Sequence, residues 1–327
     1  MKWAMIFSVF TVLVGSWVAV PIADAEIVGA WTFDDIEGEL NAEVSGTSQD
    51  ISGNGLTGNI VGRVKLRKGW RGQGLEFLET DGDPGSRWPG WFEVPHHESL
   101  NLINFTLAAW VKIPKLLDHP LIDGFCNNPC GNEQDWLINQ AILGKTSGFS
   151  RTNYAIWISD AGNNERIDER GHVTTGFTAP EPKLTRVQVL ETNDKADIVG
   201  NKWQHIVATY GEPMLRMYVN GKLVGERENE AVKNANTDEK FVPKPGFAKN
   251  RGKEAPFMVG CQIVGRSVAG QRPSYGVAGL VDDVAVFNHA LTEDEVRVLS
   301  RQGTAQFLAV ELRGKLAVTW GQLKAGN

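Results

Sequence analysis

Residues 203–225 read WQHIVATYGEPMLRMYVNGKLVG, and this stretch carries the clearest signals of secondary structure. Apolar and polar residues alternate along Trp203–Tyr210 and along Leu215–Asn220, which predicts two half-buried β-strands. The dipeptide Asn220-Gly221 then lies between two short apolar runs. Both of its residues tolerate a positive φ, so it predicts a tight hairpin turn. The stretch therefore indicates antiparallel β structure.

The same pattern continues outward in both directions, with Gly, Asn and Pro between the alternating segments. Many strands with a single late helix predict a two-sheet sandwich, because each sheet must bury one apolar face against another layer. The further predicted strands are Ile27–Phe33, Gly74–Phe77, Trp91–Val94, Phe105–Ile113, Tyr154–Ile158 and Val277–Phe287.

One helix is predicted near the end of the chain. Thr292-Glu293-Asp294-Glu295 has the sequence of a capping box, with Thr292 as the N-cap. Val296 and Leu299 supply the apolar stripe, and Gly303 predicts the end of the helix. Beyond it, Gln306–Trp320 predicts one or two short strands.

The composition and net charge of the chain disfavour some classes of binding partner. The 327 residues carry a formal charge of −6, whereas a nucleic-acid or anionic-lipid partner would favour a basic patch. The 36 glycines suit an all-β chain with many turns. We therefore expect neither nucleic acid nor a membrane surface as a partner, and the oligomeric state stays open.

The N-terminus has the features of an export signal. Lys2 precedes the apolar run Trp3–Val20, and Ala23-Asp24-Ala25 is a small-x-small cleavage pattern. Residues 1–25 are therefore expected to be a signal peptide, cleaved before Glu26, and the mature protein to be secreted. An uncleaved anchor is the alternative, since the run is long enough to span a bilayer.

Six blocks of sequence together resemble the laminin-G-like (LamG) jelly-roll domains of the concanavalin A-like superfamily. The resemblance implies an all-β, two-sheet antiparallel jelly-roll sandwich over residues 26–303 with one short C-terminal helix. The tail, residues 304–327, falls outside the resemblance, which does not predict how it packs. In chain order the blocks are Trp31–Asp34, Asp50–Gly55, Glu93–Val111, Trp203–Ala208, Tyr218–Lys222 and Gly279–Thr292.

The fold alone does not select a function, because such sandwiches serve as lectins, adhesion modules, hydrolases and lyases. Hydrolases that resemble laminarinases carry two Glu around an Asp along one strand, so that the carboxylates share a cleft. The nearest pattern here, Glu79–Asp83, ends in Asp and contains Gly82, which breaks a strand. The sequence thus favours a non-catalytic module that binds an extracellular glycan. There are two alternatives. One is a protein-binding adhesion or surface-assembly domain, with a cell-surface protein as partner. The other is a divergent glycosidase or polysaccharide lyase.

A structural calcium ion is also expected. Strict alternation along Leu280–Phe287 would point Asp282 and Asp283 to opposite faces, so at least one carboxylate would meet apolar surroundings and need a partner. The resemblance implies calcium bound by Asp34, by the Asn54-Gly55 loop and by Asp282. Hydrogen bonding of these groups to the backbone is the alternative.

Two long interruptions of the strand pattern are the predicted ligand-binding surface. Leu78–Gly90 and Leu116–Gln140 contain tryptophans that the LamG pattern does not require, and a tryptophan plate beside amides and carboxylates suits a sugar ring. Anchoring of each loop by its own tryptophan is the alternative. The candidate ligand residues are Trp88, Asn132, Asp135 and Trp136, and Cys126 and Cys130 are the candidate disulfide pair.

Overall fold

The computed structural model describes residues 26–78, 90–114, 138–146, 152–160, 173–179, 185–187, 197–228, 249–250, 253–263, 273–274 and 276–310. The predicted signal peptide, residues 1–25, lies outside these ranges. No helix among the described residues is long and apolar enough to cross a membrane.

The described part of the chain is built from antiparallel strands, which confirms the all-β prediction. All strands predicted from the alternating segments are present, with ends that differ by a few residues. The strands are β1 (Ile27–Trp31), β2 (Glu43–Ser48), β3 (Gly58–Lys68), β4 (Gln73–Phe77), β5 (Gly90–Val94), β6 (Phe105–Lys112), β7 (Ile138–Thr146), β8 (Thr152–Asp160), β9 (Val173–Ala179), β10 (Thr185–Val187), β11 (Gln204–Gly211), β12 (Met214–Val219), β13 (Lys222–Glu228), β14 (Lys249–Asn250), β15 (Lys253–Glu254), β16 (Phe257–Val259), β17 (Gln262–Ile263), β18 (Pro273–Ser274) and β19 (Gly279–Phe287).

Most strands form one curled sheet. Its hydrogen-bonded order is β10-β9-β8-β7-β16-β5-β3-β4-β19-β6-β11-β12-β13, with β1 paired to β19 and β2 paired to β3. The eleven-residue strand β3 pairs with β5 through its first half and with β4 through its second half. It therefore connects the two halves of the sheet.

Aromatic contacts across the interior show that the two halves face each other as a sandwich. Phe105 of β6 lies 5.4 Å from Tyr154 of β8, between ring centroids, although six strands separate them in the sheet order. Trp31 of β1 likewise stacks on Phe257 of β16 at 5.7 Å. These rings belong to one continuous buried cluster, which is the core of the jelly-roll sandwich.

The predicted hairpin is confirmed. β12 and β13 pair antiparallel, and the turn between them places Asn220 at φ 52° and Gly221 at φ 74°. A positive φ at both turn residues matches the twist of the flanking strands.

The predicted helix is also confirmed, as α1 (Glu293–Gln302). The Thr292 side chain accepts from the backbone N–H of Glu295, and the Glu295 carboxylate accepts from the backbone N–H of Thr292 at 2.7 Å. Val296 and Leu299 are buried with Phe287 against the outer face of the sheet. The helix therefore covers that face instead of entering the core between the sheets.

The predicted strand beyond Gly303 is wrong over its described part, because residues 304–310 are helical. Phe307 and Leu308 are buried in the same cluster as α1, and the backbone N–H of Thr304 donates to Asp283 Oδ2 at 2.9 Å. Burial at positions 304, 307 and 308 has the spacing of one helix face, which outweighs strand propensity. The C-terminal region thus has two helical segments, and residues 311–327 lie outside the described ranges.

Thr292→Ala should lower the free energy of unfolding by about 1 kcal/mol, because it removes the acceptor for the Glu295 N–H. Urea unfolding measures the effect. Val298→Ala, at an exposed position of α1, is the control and should change stability by less than about 0.5 kcal/mol. Equal stability of both variants would show that the cap contributes nothing.

Candidate functional site

The predicted loop site lies outside the described residues. Its ligand-binding role and the disulfide remain predictions from the sequence. The residues concerned are Trp88, Asn132, Asp135, Trp136, Cys126 and Cys130.

Strand β5 presents Trp91 and Glu93 on the outer face of the sandwich, because the alternate residues Phe92 and Val94 are buried in the core. Both outward side chains are partly exposed. The indole Nε1 of Trp91 donates a hydrogen bond to Glu93 Oε2 at 2.8 Å. This bond orients the two side chains together, so that an aromatic plate and a carboxylate form one unit.

The neighbouring strands extend this unit sideways. On β3, Val61 pairs with Trp91 and Asn59 pairs with Glu93, while Met258 of β16 pairs with Glu93 from the other side. Directly paired residues of antiparallel strands share a face. We call these five residues the tryptophan strip.

A small apolar cluster supports the indole. Trp91 packs against buried Met258, Cys261 and Ala278. Burial, and secondarily the charge of Glu93, raises the pKa of the Cys261 thiol well above its usual range. Cys261 is therefore a buried neutral thiol, as the apolar sequence before it predicts.

A second group of side chains surrounds the turn Gly69–Gln73, which we call the glycine turn. The backbone N–H of Gln73 donates to Asp34 Oδ1 at 2.7 Å, and the backbone N–H of Arg71 donates to Asp282 Oδ2 at 3.1 Å. The structure thus brings together two of the predicted calcium ligands, Asp34 and Asp282, at this turn.

Asp282 and Asp283 do not point to opposite faces, so that expectation from alternation is wrong. The pairing of β19 with β6 shifts between Asp282 and Ala285, and Asp283 has a φ of 53°. Val281 and Val284, which flank the two aspartates, are both buried in the main core. This β-bulge adds one residue to the strand and leaves both carboxylates on the outer side.

Burial governs the protonation of these carboxyl groups. It raises the pKa of Asp282 to about 8, and the nearby charges of Asp283 and Asp34 act in the same direction, while the hydrogen bond from the Arg71 N–H opposes them. Burial also raises the pKa of Asp283. A cation beside these groups would replace the proton that burial favours.

The structure does not bring Asn54 and Gly55 to the glycine turn. The Asn54 side-chain amide donates to the carbonyls of Ile27 at 2.7 Å and Val28 at 3.1 Å, at the start of β1, whereas Asp34 follows the end of β1. Gly55 has a φ of 75°, which a turn with glycine tolerates, and a side chain there would meet open space. The Asn54 side chain therefore holds this loop to β1.

The family follows from the sequence that includes β5 to β16. A laminin-G model, described as the concanavalin A-like lectin/glucanases superfamily, matches residues 89–259, which is 171 of the 327 residues. The chain belongs to the concanavalin A-like lectin/glucanases superfamily. The LamG resemblance of the sequence is thereby confirmed, and most of the tryptophan strip lies within the matched part of this superfamily member.

Several solved structures are similar to the chain at low identity, each with a TM-score below 0.5. Domain 4 of AbnA, a GH43 extracellular arabinanase from Geobacillus stearothermophilus solved with arabinotriose, is 16% identical with a TM-score of 0.49, over 84% of this chain and 98% of that one. The binding domain of Paraclostridial Mosquitocidal Protein 1 is 15% identical with a TM-score of 0.49, over 84% of this chain and 52% of that one. Trypanosoma rangeli sialidase, solved with sialic acid, is 15% identical with a TM-score of 0.45, over 84% and 32%. This chain therefore spans about half of the toxin domain and a third of the sialidase. No curated protein sequence matches the chain.

The oxygen atoms at the glycine turn fit the calcium ion that the resemblance implies for this superfamily member. A Cβ built on Gly69 would lie 2.5 Å from Asp282 Oδ2, 2.5 Å from the Gln73 carbonyl oxygen and 2.7 Å from the Arg71 carbonyl oxygen. Three oxygens thus lie close together beside Gly69, and calcium prefers such all-oxygen surroundings. Asp282 and these two carbonyls would hold the ion, with Asp34 beside them.

A third cluster was not predicted from the sequence. Lys145 of β7 is fully buried, and its ammonium donates to His96 Nδ1 at 2.8 Å and to Asn101 Oδ1 at 2.7 Å, with Glu254 Oε2 at 3.5 Å. Burial lowers the pKa of Lys145 to about 8, against the opposing effect of Glu254. We call these four residues the lysine cluster.

The contacts of Lys145 favour an ion-pair cluster over a metal centre. His96 and Glu254, together with Glu98, are a group of described residues whose potential ligand atoms all lie within 4.8 Å of one another. The ammonium of Lys145 already supplies the positive charge between His96 and Glu254. The cluster therefore joins the segment after β5, β7 and the segment before β16 at one end of the sandwich.

The signals that could have revealed these sites are weak in the sequence. Gly69-Trp70-Arg71-Gly72-Gln73-Gly74 contains three glycines in six residues, which indicates a turn with close backbone approach. Trp91 lies in a predicted strand, but alternation alone does not show which face of that strand another layer covers. Lys145 lies within an apolar strand, where a charged residue signals a buried partner.

Proposed function

We propose that this protein is a secreted, non-catalytic carbohydrate-binding module with a structural calcium ion at the glycine turn. The observation that supports the binding function is the partly exposed Trp91 on the outer face of β5, hydrogen-bonded to the Glu93 carboxylate. Membership of a superfamily whose description includes lectins agrees with it. Secretion rests on the export pattern of residues 1–25.

The chemistry of the tryptophan strip suits a sugar ring. A sugar has an apolar face that packs on an indole, and a rim of hydroxyl groups that need hydrogen-bond partners. The indole N–H of Trp91 is already used by Glu93, so the ring face of Trp91 remains for stacking. The second carboxylate oxygen of Glu93 and the amide of Asn59 can bond to hydroxyls.

The same geometry argues against glycoside hydrolysis at this surface. Hydrolysis with retention or inversion needs two carboxyl groups on either side of the scissile bond, roughly 5 to 9.5 Å apart. Glu93 is the single carboxylate among the five residues of the tryptophan strip, and its paired neighbours are Asn59 and Met258. The strip can therefore hold a glycan but lacks the second acid or base.

Trp91→Ala should weaken glycan binding at least fivefold, by about 1 kcal/mol or more, because it removes the stacking surface. Affinity electrophoresis through gels containing soluble polysaccharides measures the retention of the protein. Trp91→Phe keeps an aromatic plate and should retain most of the binding, which separates loss of the plate from loss of the fold. Trp203→Ala, at a partly exposed tryptophan outside the strip, is the control.

Equal retention of the wild type and Trp91→Ala would move the site away from β5. Trp88→Ala and Trp136→Ala then test the predicted loop surface, and loss of retention in either would place the ligand there. A wild-type protein that no polysaccharide retains, but that binds an extracellular protein, would replace the proposal with the adhesion alternative.

A further inference from the structure

We infer that the tryptophan strip takes uncharged glycans and discriminates against glycans that carry carboxylate or sulfate groups. The inference deepens the proposed function and rests on it. It follows from the charges that surround Trp91.

Glu93 gives the strip its charge. The residues paired with Trp91 and Glu93 on the described neighbouring strands are Asn59, Val61 and Met258, all uncharged. The negative charge of Glu93 also acts on the buried Cys261 thiol next to Trp91, where it contributes to the raised pKa of that thiol. Among the described residues of the strip, Glu93 is therefore the one charged group that a ligand on the indole would meet.

The basic residue that follows on β3 does not cancel this charge. Arg63 lies two residues beyond Val61, and its Nε is paired with Glu43 Oε1 at 3.0 Å. The guanidinium is thus directed to a carboxylate on β2, outside the strip. An anionic group near Trp91 could form an ion pair with Arg63 only if the Arg63–Glu43 pair broke.

Two physical effects then favour uncharged sugars. An acidic substituent within a few ångströms of Glu93 is repelled, and the repulsion at a partly exposed site is large enough to change affinity about tenfold. A carboxylate or sulfate also has no proton to donate to the Glu93 oxygen, whereas a hydroxyl does. Discrimination therefore combines a repulsive charge with a lost hydrogen bond.

Matched polysaccharides test the inference. Soluble mixed-linkage β-glucan, galactan and mannan are each compared with the same polymer oxidised at carbon 6, which converts a primary hydroxyl into a carboxylate. The readout is the ratio of the dissociation constants for oxidised and parent polymer. We expect oxidation to weaken wild-type binding at least tenfold, and about 0.5 M salt to narrow the difference by screening.

Two variants assign the effect to Glu93. Glu93→Gln should bring the ratio for the oxidised and parent polymers towards one, because an amide does not repel a carboxylate. Glu37→Gln, which removes an exposed carboxylate outside the strip, changes the net charge equally and should leave the ratio at its wild-type value. Any general effect of protein charge on polyanions would appear in both variants.

The outcomes are distinct. Wild-type protein that binds an oxidised polymer as tightly as its parent, or an unchanged ratio in Glu93→Gln, overturns the inference while leaving glycan binding in place. Retention of the wild type by none of these polymers, parent or oxidised, contradicts the proposed function and the inference with it.

Discussion

Replacing Asp282 by Asn is expected to remove most of the stabilisation by calcium, and to stabilise the metal-free protein at alkaline pH. The pKa of Asp282 is raised from 3.8 to about 8, mainly by burial. The folded protein therefore keeps a proton that the unfolded chain releases, and the contribution of this group falls as pH rises from about 4 to about 8. At about 1.36 kcal/mol per pH unit, the stability contributed by this group falls by at most roughly 6 kcal/mol.

At neutral pH, calcium should make ionised Asp282 stabilising, because the ion binds the carboxylate form that burial alone disfavours. Binding to the folded state alone stabilises by about 2.7 kcal/mol at a hundredfold excess over the dissociation constant. Thermal melts of stripped protein, with calcium and with chelator at pH 5 and pH 8, measure both effects. Asp35→Asn, a carboxylate bonded to Ser48 and Gln49 away from the glycine turn, is the matched control.

For Asp282, two results would contradict the calcium proposal. One is superimposable melts of the stripped wild type with and without calcium at pH 8. The other is an Asp282→Asn variant that calcium stabilises as strongly as the wild type.

Replacing Lys145 should give the second large effect. The pKa of its ammonium is lowered from 10.5 to about 8 by burial, so the folded protein releases a proton that the unfolded chain keeps. The cost of burying the charge is fully present below about pH 8 and is relieved as pH rises towards 10.5. The wild type should therefore gain roughly 3 kcal/mol over this window relative to Lys145→Met.

At pH 7, Lys145→Met should nevertheless be less stable than the wild type by roughly 3 kcal/mol, because His96, Asn101 and Glu254 lose the ammonium that they share. Urea unfolding at pH 7 and at pH 10 measures both effects. Lys145→Met combined with Glu254→Gln should recover part of the loss, since it removes the buried negative charge. A single variant as stable as the wild type at pH 7 would show that the lysine cluster contributes no net stability.

The fold could be predicted from the sequence because its signals are local. Alternation, the Asn220-Gly221 turn and the Thr292 capping box each depend on a few adjacent residues. The helical residues 304–310 were missed because their stability comes from burial of Phe307 and Leu308 against the sheet, which is a tertiary effect.

The candidate sites were only partly predictable. Asp34 and Asp282 were identified through the resemblance, but their joint position depends on the glycine turn and on the bulge at Asp283. The tryptophan strip depends on which strands pair with β5, and no local pattern specifies that Asn59 and Met258 lie beside Glu93.

The most direct test of the account is a crystal structure of the protein with an oligosaccharide released from a polysaccharide that retains it. We expect a sugar ring packed on the indole of Trp91, with hydroxyl groups bonded to Glu93 or Asn59. An ordered oligosaccharide that contacts neither Trp91 nor Glu93 would contradict it.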